Sequence, residues 1–152
     1  MGKFKGIGTF LWGGIEMRLW GDVEDYNGLT DISQYKYDVF LICPVRNATE
    51  SQKERMMEYI ENLENNGTTV YYPARDTDQN DNIGFRICSD NKYAMKNSKE
   101  VHIFWDKNSQ GSLFDLGMAF ALEKEITVVN LEELENTDHK SFSNMIRKWS
   151  KM

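Results

Sequence analysis

The chain has 152 residues, of which 40% are hydrophobic and 28% are charged, and its formal net charge is −6 at pH 7. This length suits one domain with a sizeable core and is short for two. Lysines and arginines are scattered among acids, so the sequence lacks the basic stripe that binding to a nucleic-acid polymer requires. A small anionic ligand is still compatible with this charge, because one or two cations and a helix N-terminus suffice to bind it.

No stretch reaches the roughly 20 apolar residues that span a bilayer, so we expect no membrane partner. The N-terminal MGKFKGIGTFLWGGIEMRLWG starts like a signal peptide, but glycines, Glu16 and Arg18 interrupt the apolar run behind its lysines. Cys43 and Cys88 are too few for a disulfide framework and indicate reduced thiols. We therefore expect a cytoplasmic protein, and no Cys/His cluster has the spacing of a metal site.

The first clear elements in the chain are a strand and a helix. VFLIC at 39–43 is a short unbroken apolar run, which is typical of a parallel strand covered on both faces. Thr49 and Gln52 then match a capping box, and the apolar residues behind them recur with the period of an amphipathic helix over 50–65.

The same alternation continues to the end of the chain. In order, the sequence predicts a strand at 68–72, a polar loop at 74–82, a helix at 83–97, a strand at 100–105, an exit loop at 106–111, a helix at 112–124, a strand at 126–130 and a helix at 138–150. The helix at 112–124 is apolar nearly all round, so we expect it to be well buried.

Strands that alternate with helices of this length predict right-handed crossovers and a mostly parallel sheet. The predicted fold class is therefore α/β: a Rossmann-like sheet of four to five strands in flavodoxin-like order, flanked by helices, over residues 38–152. Residues 1–37 do not follow this alternation. Their Gly/Trp-rich sequence predicts an N-terminal extension, either a hairpin or an arm that packs on the body or on another subunit.

Three loops that follow the first three strands hold most of the unpaired polar side chains. In an open parallel sheet, ligands bind beyond the carboxyl ends of the strands, where the strand order reverses. If the first strand lies between the second and third, these loops line one crevice. The candidate ligand-binding residues are Pro44, Arg46, Asn47, Arg75, Asp76, Asp106, Ser109, Gly111 and Ser112. The two loop arginines suit bidentate contact with phosphate, and surface ion pairs are the alternative for both.

Asp115 is predicted to lie in the first turn of the helix at 112–124, where two interpretations compete. Ser112 and Asp115 match a capping box, and an acid in a first turn complements the helix dipole. Alternatively, the turn formed by Gln110, Gly111 and Ser112 presents backbone N–H groups and this carboxylate to a ligand.

The segments FLICPVRN, VHIFWD and GSLFDLGMAFAL, within about residues 38–130, resemble the nucleoside 2-deoxyribosyltransferase-like superfamily. The resemblance implies that the motif carboxylate, Asp115, attacks the anomeric carbon of a deoxyribose and displaces the base, and that another base or water resolves the glycosyl-enzyme intermediate. It also implies that Asp90 is the second acid, to within a residue or so of register. A nucleoside or nucleotide ligand, no metal or organic cofactor, and a homo-oligomer are further implications.

One departure from that family leaves the function open. The family usually has glutamate at the nucleophile position, and the shorter aspartate withdraws the carboxylate by about 1 Å, a misplacement that can cost about a hundredfold in rate. Two hypotheses follow: an N-glycosidic transferase or hydrolase with a reshaped pocket, or a protein that binds a nucleotide-derived ligand without turnover. A third is an interaction module that uses its aromatic N-terminal segment.

Overall fold

The computed structural model describes residues 9–12, 15–18 and 35–152. The chain divides into two units, residues 1–33 and 34–152. In the first, strand β1 (Thr9–Trp12) pairs antiparallel with β2 (Ile15–Arg18), with Trp12 opposite Ile15. The rest of the predicted N-terminal extension lies outside the described residues.

The second unit is built on a parallel sheet of four strands. The strands are β3 (Tyr37–Ile42), β4 (Val70–Tyr71), β5 (Ser98–Ile103) and β6 (Ile126–Val128). Their order across the sheet is β4-β3-β5-β6, and all three neighbouring pairs are parallel. This arrangement confirms the predicted α/β class and its flavodoxin-like order, with the first strand of the unit between the second and third.

Five helices and a 3₁₀ turn lie between and after these strands. They are α1 (Glu50–Asn65), α2 (Pro73–Asp76), α3 (Phe85–Lys96), α4 (Gln110–Ala121), the 3₁₀ turn Leu131–Glu133, and α5 (Phe142–Trp149). Helix α1 has its predicted bounds, because Thr49 Oγ1 accepts from the backbone N–H of Gln52 at 3.2 Å while Gln52 Oε1 accepts from that of Thr49 at 2.9 Å. Within the part of the chain that is described, no helix is both long and apolar enough to cross a membrane.

The core consists of two apolar clusters, one on each face of the sheet. Successive side chains of a strand point to opposite faces, so Phe40 and Ile42 of β3 pack with Leu116 of α4 and Ile146 of α5. The alternate residues of β3 pack against α1 in the second cluster, whose α1 members are Met56 and Ile60. Helices on both faces of the sheet explain why the strands read as unbroken apolar runs.

The prediction that the helix after β5 is well buried is wrong for half of its apolar residues. Leu116 and Ala119 of α4 are buried against the sheet, whereas Phe114 is 57% exposed and Phe120 is 62% exposed. A helix of this kind can bury only the stripe that faces the sheet, and the other apolar side chains lie outside that stripe.

Candidate functional site

The order of the strands places the reversal point of the sheet between β3 and β5. The chain leaves β3 towards β4 on one side and then returns to β5 on the other. The segments that follow these three strands therefore emerge at the same edge, where ligands bind in open α/β sheets. Six residues separate the end of β5 from the start of helix α4.

Asp115 lies on α4 and its side chain turns inwards, leaving it only 8% exposed. The predicted first-turn position of this residue is wrong. Ser109, not Ser112, is the N-cap: its backbone is extended and its Oγ accepts from the backbone N–H of Ser112 at 3.2 Å. The helix consequently begins two residues earlier than expected, and Asp115 lies in the second turn, where it is not used as a cap.

Asn91 of α3 is the polar side chain that meets the Asp115 carboxylate, and it belongs to a short relay. Thr77 Oγ1 donates to Asn91 Oδ1 at 2.9 Å, and Tyr71 Oη lies 2.6 Å from Thr77 Oγ1. A hydroxyl has one proton, so Tyr71 is the donor to Thr77. The oxygen of the Asn91 amide is occupied by Thr77, so its N–H groups are the ones left to favour the charged form of Asp115.

Burial raises the pKa of Asp115 from 3.8 to about 7, and the hydrogen bond from Asn91 opposes this rise only in part. Desolvation disfavours the charged form of a carboxyl group, which is the physical cause of the rise. The pKa values of two neighbouring thiols, Cys43 and Cys88, are also raised, first by burial and then by the charge of Asp115. Both cysteines are therefore weak nucleophiles at neutral pH, and Asp115 is the group that titrates.

Ser112 lies one turn before Asp115 on the same face of α4. It is 1% exposed, and among the residues that the structure describes its Oγ has no hydrogen-bond partner. A buried hydroxyl without a partner costs free energy, which makes this atom unusual. Gly111 is exposed in the first helical turn, and a Cβ there would meet nothing within 4 Å, so the flexible turn predicted around it is in fact helical.

Asp90 precedes Asn91 on α3 and is half exposed. Its Oδ2 accepts from Arg86 Nη1 at 3.2 Å. The side chain that reaches Asp115 is thus that of Asn91, one position further on, which falls within the register allowed by the resemblance.

The candidate residues that follow β3 and β4 differ in how far they are exposed and in whether they are already paired. Pro44 is buried, whereas Arg46 and Asn47 are exposed in a turn. Arg75 and Asp76 form the end of α2, where the sequence predicted a loop. The Arg75 guanidinium donates to Asp76 and to Glu64 at 2.9 Å, so it takes part in surface ion pairs.

Asp106, behind β5, accepts two hydrogen bonds. Its Oδ2 accepts from Gln52 Nε2 at 3.3 Å and its Oδ1 from the backbone N–H of Asn108 at 2.9 Å. It lines a cavity of about 270 Å³ between α1, the β5 exit segment and residues 130–135, and Asp115 does not line that cavity. Across the described ranges, no group of three or more His, Cys, Asp and Glu side chains could hold a metal ion.

Sequence reasoning missed two members of the polar relay, Asn91 and Thr77. Asn91 lies among other polar residues on α3, and Thr77 lies in a loop of similar residues, so neither stands out in the sequence. One feature of the sequence could have identified Asn91: it lies next to Asp90, the residue that the resemblance selected. Only the packing of α3 beside α4 shows that the buried amide is the one that matters.

The chain is similar to solved structures of low sequence identity. The 2-deoxyribosyltransferase of the psychrotolerant bacterium Bacillus psychrosaccharolyticus has a TM-score of 0.51 and 16% sequence identity, over 73% of this chain and 90% of that one. The TIR domain of a Toll-related receptor from Hydra magnipapillata has a TM-score of 0.49 and 17% identity, over 71% of this chain and 78% of that one. No protein-family model and no curated protein matches the sequence. At these identities the likeness to the transferase concerns the fold alone.

Proposed function

We propose that the chain cleaves the N-glycosidic bond of deoxyribonucleosides or deoxyribonucleotides and transfers the sugar to another base or to water. The observation that supports this most is the state of Asp115. It is a buried carboxylate on the helix behind β5, it does not cap that helix, and burial raises its pKa to about 7. Strongly shifted pKa values are concentrated at functional sites because catalysis requires groups poised near the working pH.

In the proposed reaction Asp115 is the nucleophile. One carboxylate oxygen forms a bond to C1′ as the C1′–N bond breaks, and the base leaves with a proton from a nearby acid. Water or a second base then attacks C1′, which releases the carboxylate and gives net retention. Desolvation makes the ionised carboxylate more reactive towards the cationic sugar, while Asn91 favours its charged form.

Asp90 is the proposed donor of the proton to the leaving base. It is half exposed on α3 and adjacent in sequence to Asn91, which is why it is proposed for this role. The contact with Arg86 at 3.2 Å has to open for this role. In the same proposal Arg46 is the cation that binds a 5′-phosphate, since Arg75 is already engaged by Glu64 and Asp76.

The ligand-binding role proposed for the remaining loop residues rests on their position behind β3 and β5. Ser109 and Ser112 begin α4, and Pro44 and Asn47 follow β3. A homo-oligomer is also part of the proposal. The exposed apolar residues of α4, with Phe114 and Phe120 the most exposed, are the surface we expect a second copy to cover.

Release of free base, separated by chromatography, tests the proposed reaction. The wild-type chain is incubated with each common deoxynucleoside and its 5′-monophosphate, alone and with an acceptor base. We expect product with at least one of them and none with Asp115→Ala. Asp138→Ala, which removes a fully exposed aspartate far along the chain, is the matched control and should retain activity.

Asp115→Glu refines that assay, because the longer side chain restores the reach of the family's usual glutamate. A gain in activity would identify Asp115 as the attacking group and its length as the limit on rate. Product release that is equal in wild type and Asp115→Ala would refute the assignment of the nucleophile.

A second candidate function is binding of a nucleotide-derived ligand without turnover. The observation that favours it is that Asp115 is 8% exposed and does not line the cavity beside Asp106. This function predicts saturable binding and thermal stabilisation by nucleosides or nucleotides, with no free base at any enzyme concentration. It also predicts that Asp115→Asn retains ligand binding, because an amide preserves the shape of the side chain.

A further inference from the structure

The face of the sheet covered by α1 holds an acid, an imidazole and a phenol in one hydrogen-bonded row. His102 Nε2 lies 3.1 Å from Glu100 Oε1, and His102 Nδ1 lies 2.7 Å from Tyr59 Oη. Glu100 and His102 are two residues apart on β5, so they share a face, and Tyr59 comes from α1, which packs against that face. The imidazole is buried, with 8% of its side chain exposed, and the phenol is half buried.

The chemistry of these groups determines which atom donates. An ionised carboxylate accepts only, so Glu100 requires a proton on Nε2 of His102. In the neutral imidazole Nδ1 is then the acceptor, and the Tyr59 hydroxyl donates to it. The row therefore has the polarity of an acid–base–nucleophile triad, in which the acid fixes the tautomer and the base withdraws the hydroxyl proton.

The tyrosine at the end of this row borders a cavity. Tyr59 lines a cavity of about 170 Å³ together with Arg55, Phe104 and Val129. Arg55 lies one helical turn before Tyr59, and its guanidinium lies 5.0 Å from the centre of the Phe104 ring. Glu58 and Asn62 complete the lining, so a small molecule in this cavity would meet apolar side chains, a cation, a carboxylate, an amide and the phenol.

Burial also raises the pKa of Tyr59, with a smaller contribution from the charge of Glu100. The phenol is therefore neutral at physiological pH, and it can attack an electrophile only with the help of a base. His102 is the base in place.

We propose that Tyr59 is an acyl-accepting hydroxyl, activated by His102 and Glu100, for small activated esters bound in the cavity that it lines. Tyr59 Oη forms a bond to the ester carbonyl carbon, and the bond from that carbon to the leaving aryl oxygen breaks. His102 Nδ1 takes the phenolic proton and returns it to the leaving phenolate. The products are an acylated tyrosine and a free phenol, with no other reactant.

The test uses p-nitrophenyl acetate and the full-length chain. Acetylation at each tyrosine is followed by peptide mass spectrometry, and Tyr93, which is 66% exposed on α3, provides the baseline for an ordinary phenol. We expect Tyr59 to be acetylated much faster than Tyr93. In His102→Gln the rate at Tyr59 should fall by about a hundredfold, which is typical for the loss of a general base.

Two further variants distinguish loss of activation of the Tyr59 hydroxyl from loss of the folded structure. Glu100→Gln keeps a hydrogen-bonding side chain but no longer selects the tautomer, so it should slow the reaction at Tyr59 while leaving the melting temperature nearly unchanged. Tyr93→Phe, a matched loss of a tyrosine outside the row, should leave the rate at Tyr59 as it is. Acetylation of Tyr59 no faster than that of Tyr93, or equally fast in folded His102→Gln, would overturn the proposal.

Discussion

At the scale of single residues, the titration of Asp115 links its environment to the proposed chemistry. The nucleophile has to be ionised, and burial raises its pKa to about 7. We therefore expect kcat/KM for base release to increase from about pH 6 to about pH 8 and then level off, since the ionised fraction follows that pKa. A rate that is flat over this interval would contradict a nucleophile with this pKa.

Asn91 supplies a second prediction, because its hydrogen bond to the carboxylate lowers the pKa that burial raises. Asn91→Leu removes the donor and adds apolar surface, so the pKa of Asp115 should rise further and the pH–rate curve should move to higher pH. The measurement is the pH dependence of kcat/KM in the variant. Asn65→Leu, at an exposed position on α1, is the matched control and should leave the curve in place.

The sequence located Asp115 but not the residues that set its properties. The short segment GSLFDLG identified the carboxylate, because its order of residues resembles the motif of one family. Burial, by contrast, depends on how α3 packs beside α4, and the relay through Thr77 and Asn91 joins residues 14 positions apart through their side chains. Neither is encoded in local spacing.

At the scale of secondary structure elements, the start of α4 gives a prediction about two serines. Ser109 caps the helix, while Ser112 buries a hydroxyl without a partner among the described residues. Ser109→Ala should therefore lower the free energy of unfolding by about 1 kcal/mol. Ser112→Ala should be neutral or stabilising, because it removes a buried polar atom that makes no hydrogen bond.

Urea unfolding of the two variants beside the wild type measures this difference. If Ser112→Ala were the destabilising change, the helix would begin where the sequence suggested rather than at Gln110. The pair also checks the assignment of Asp115 to the second turn.

The same two serines show why α1 was predicted correctly and the start of α4 was not. Thr49 and Gln52 make the single capping box ahead of α1, and the apolar period begins directly behind it. Ahead of α4, Ser109 and Ser112 both have the residue type of a cap, and Gly111 between them reads as a turn. Only the backbone, extended at Ser109 and helical from Gln110 onwards, distinguishes them. Helix α2 was not predicted from the sequence for a related reason. It is a single turn of four residues, which is too short to show a helical period.

At the scale of the whole molecule, the outer surface of α4 predicts self-association. Phe114 and Phe120 are largely exposed apolar residues on one helix, and such surfaces commonly mark interfaces. We expect the wild type to be an oligomer in light scattering after size exclusion, and Phe114→Glu to dissociate it. Met57→Glu changes an exposed apolar residue of α1 and should leave the assembly unchanged. A wild-type chain that is monomeric at all concentrations would contradict this expectation.

The free energy of unfolding of the molecule should depend on pH, because Asp115 is buried. Its pKa is 3.8 when unfolded and about 7 when folded, so the folded state binds the proton more tightly. The resulting stabilisation is complete below pH 3.8 and is lost as the pH rises through about 7. At about 1.4 kcal/mol per pKa unit, the loss is on the order of 4 kcal/mol.

Asp115→Asn keeps the shape of the side chain but cannot ionise, so it should avoid this loss. We expect its gain in free energy of unfolding over the wild type to be larger at about pH 8 than at about pH 4.5. Asp38→Asn provides a comparison of opposite sign, because hydrogen bonds from the backbone and side chain of Thr69 lower the pKa of Asp38. That carboxylate stabilises the fold above its unfolded pKa, so its replacement should destabilise the protein at about pH 8. Urea unfolding of all three proteins at both pH values provides the measurement. A gain for Asp115→Asn that did not grow with pH would mean that Asp115 is ionised as freely in the folded chain as in the unfolded one, and the buried nucleophile would lose its physical basis.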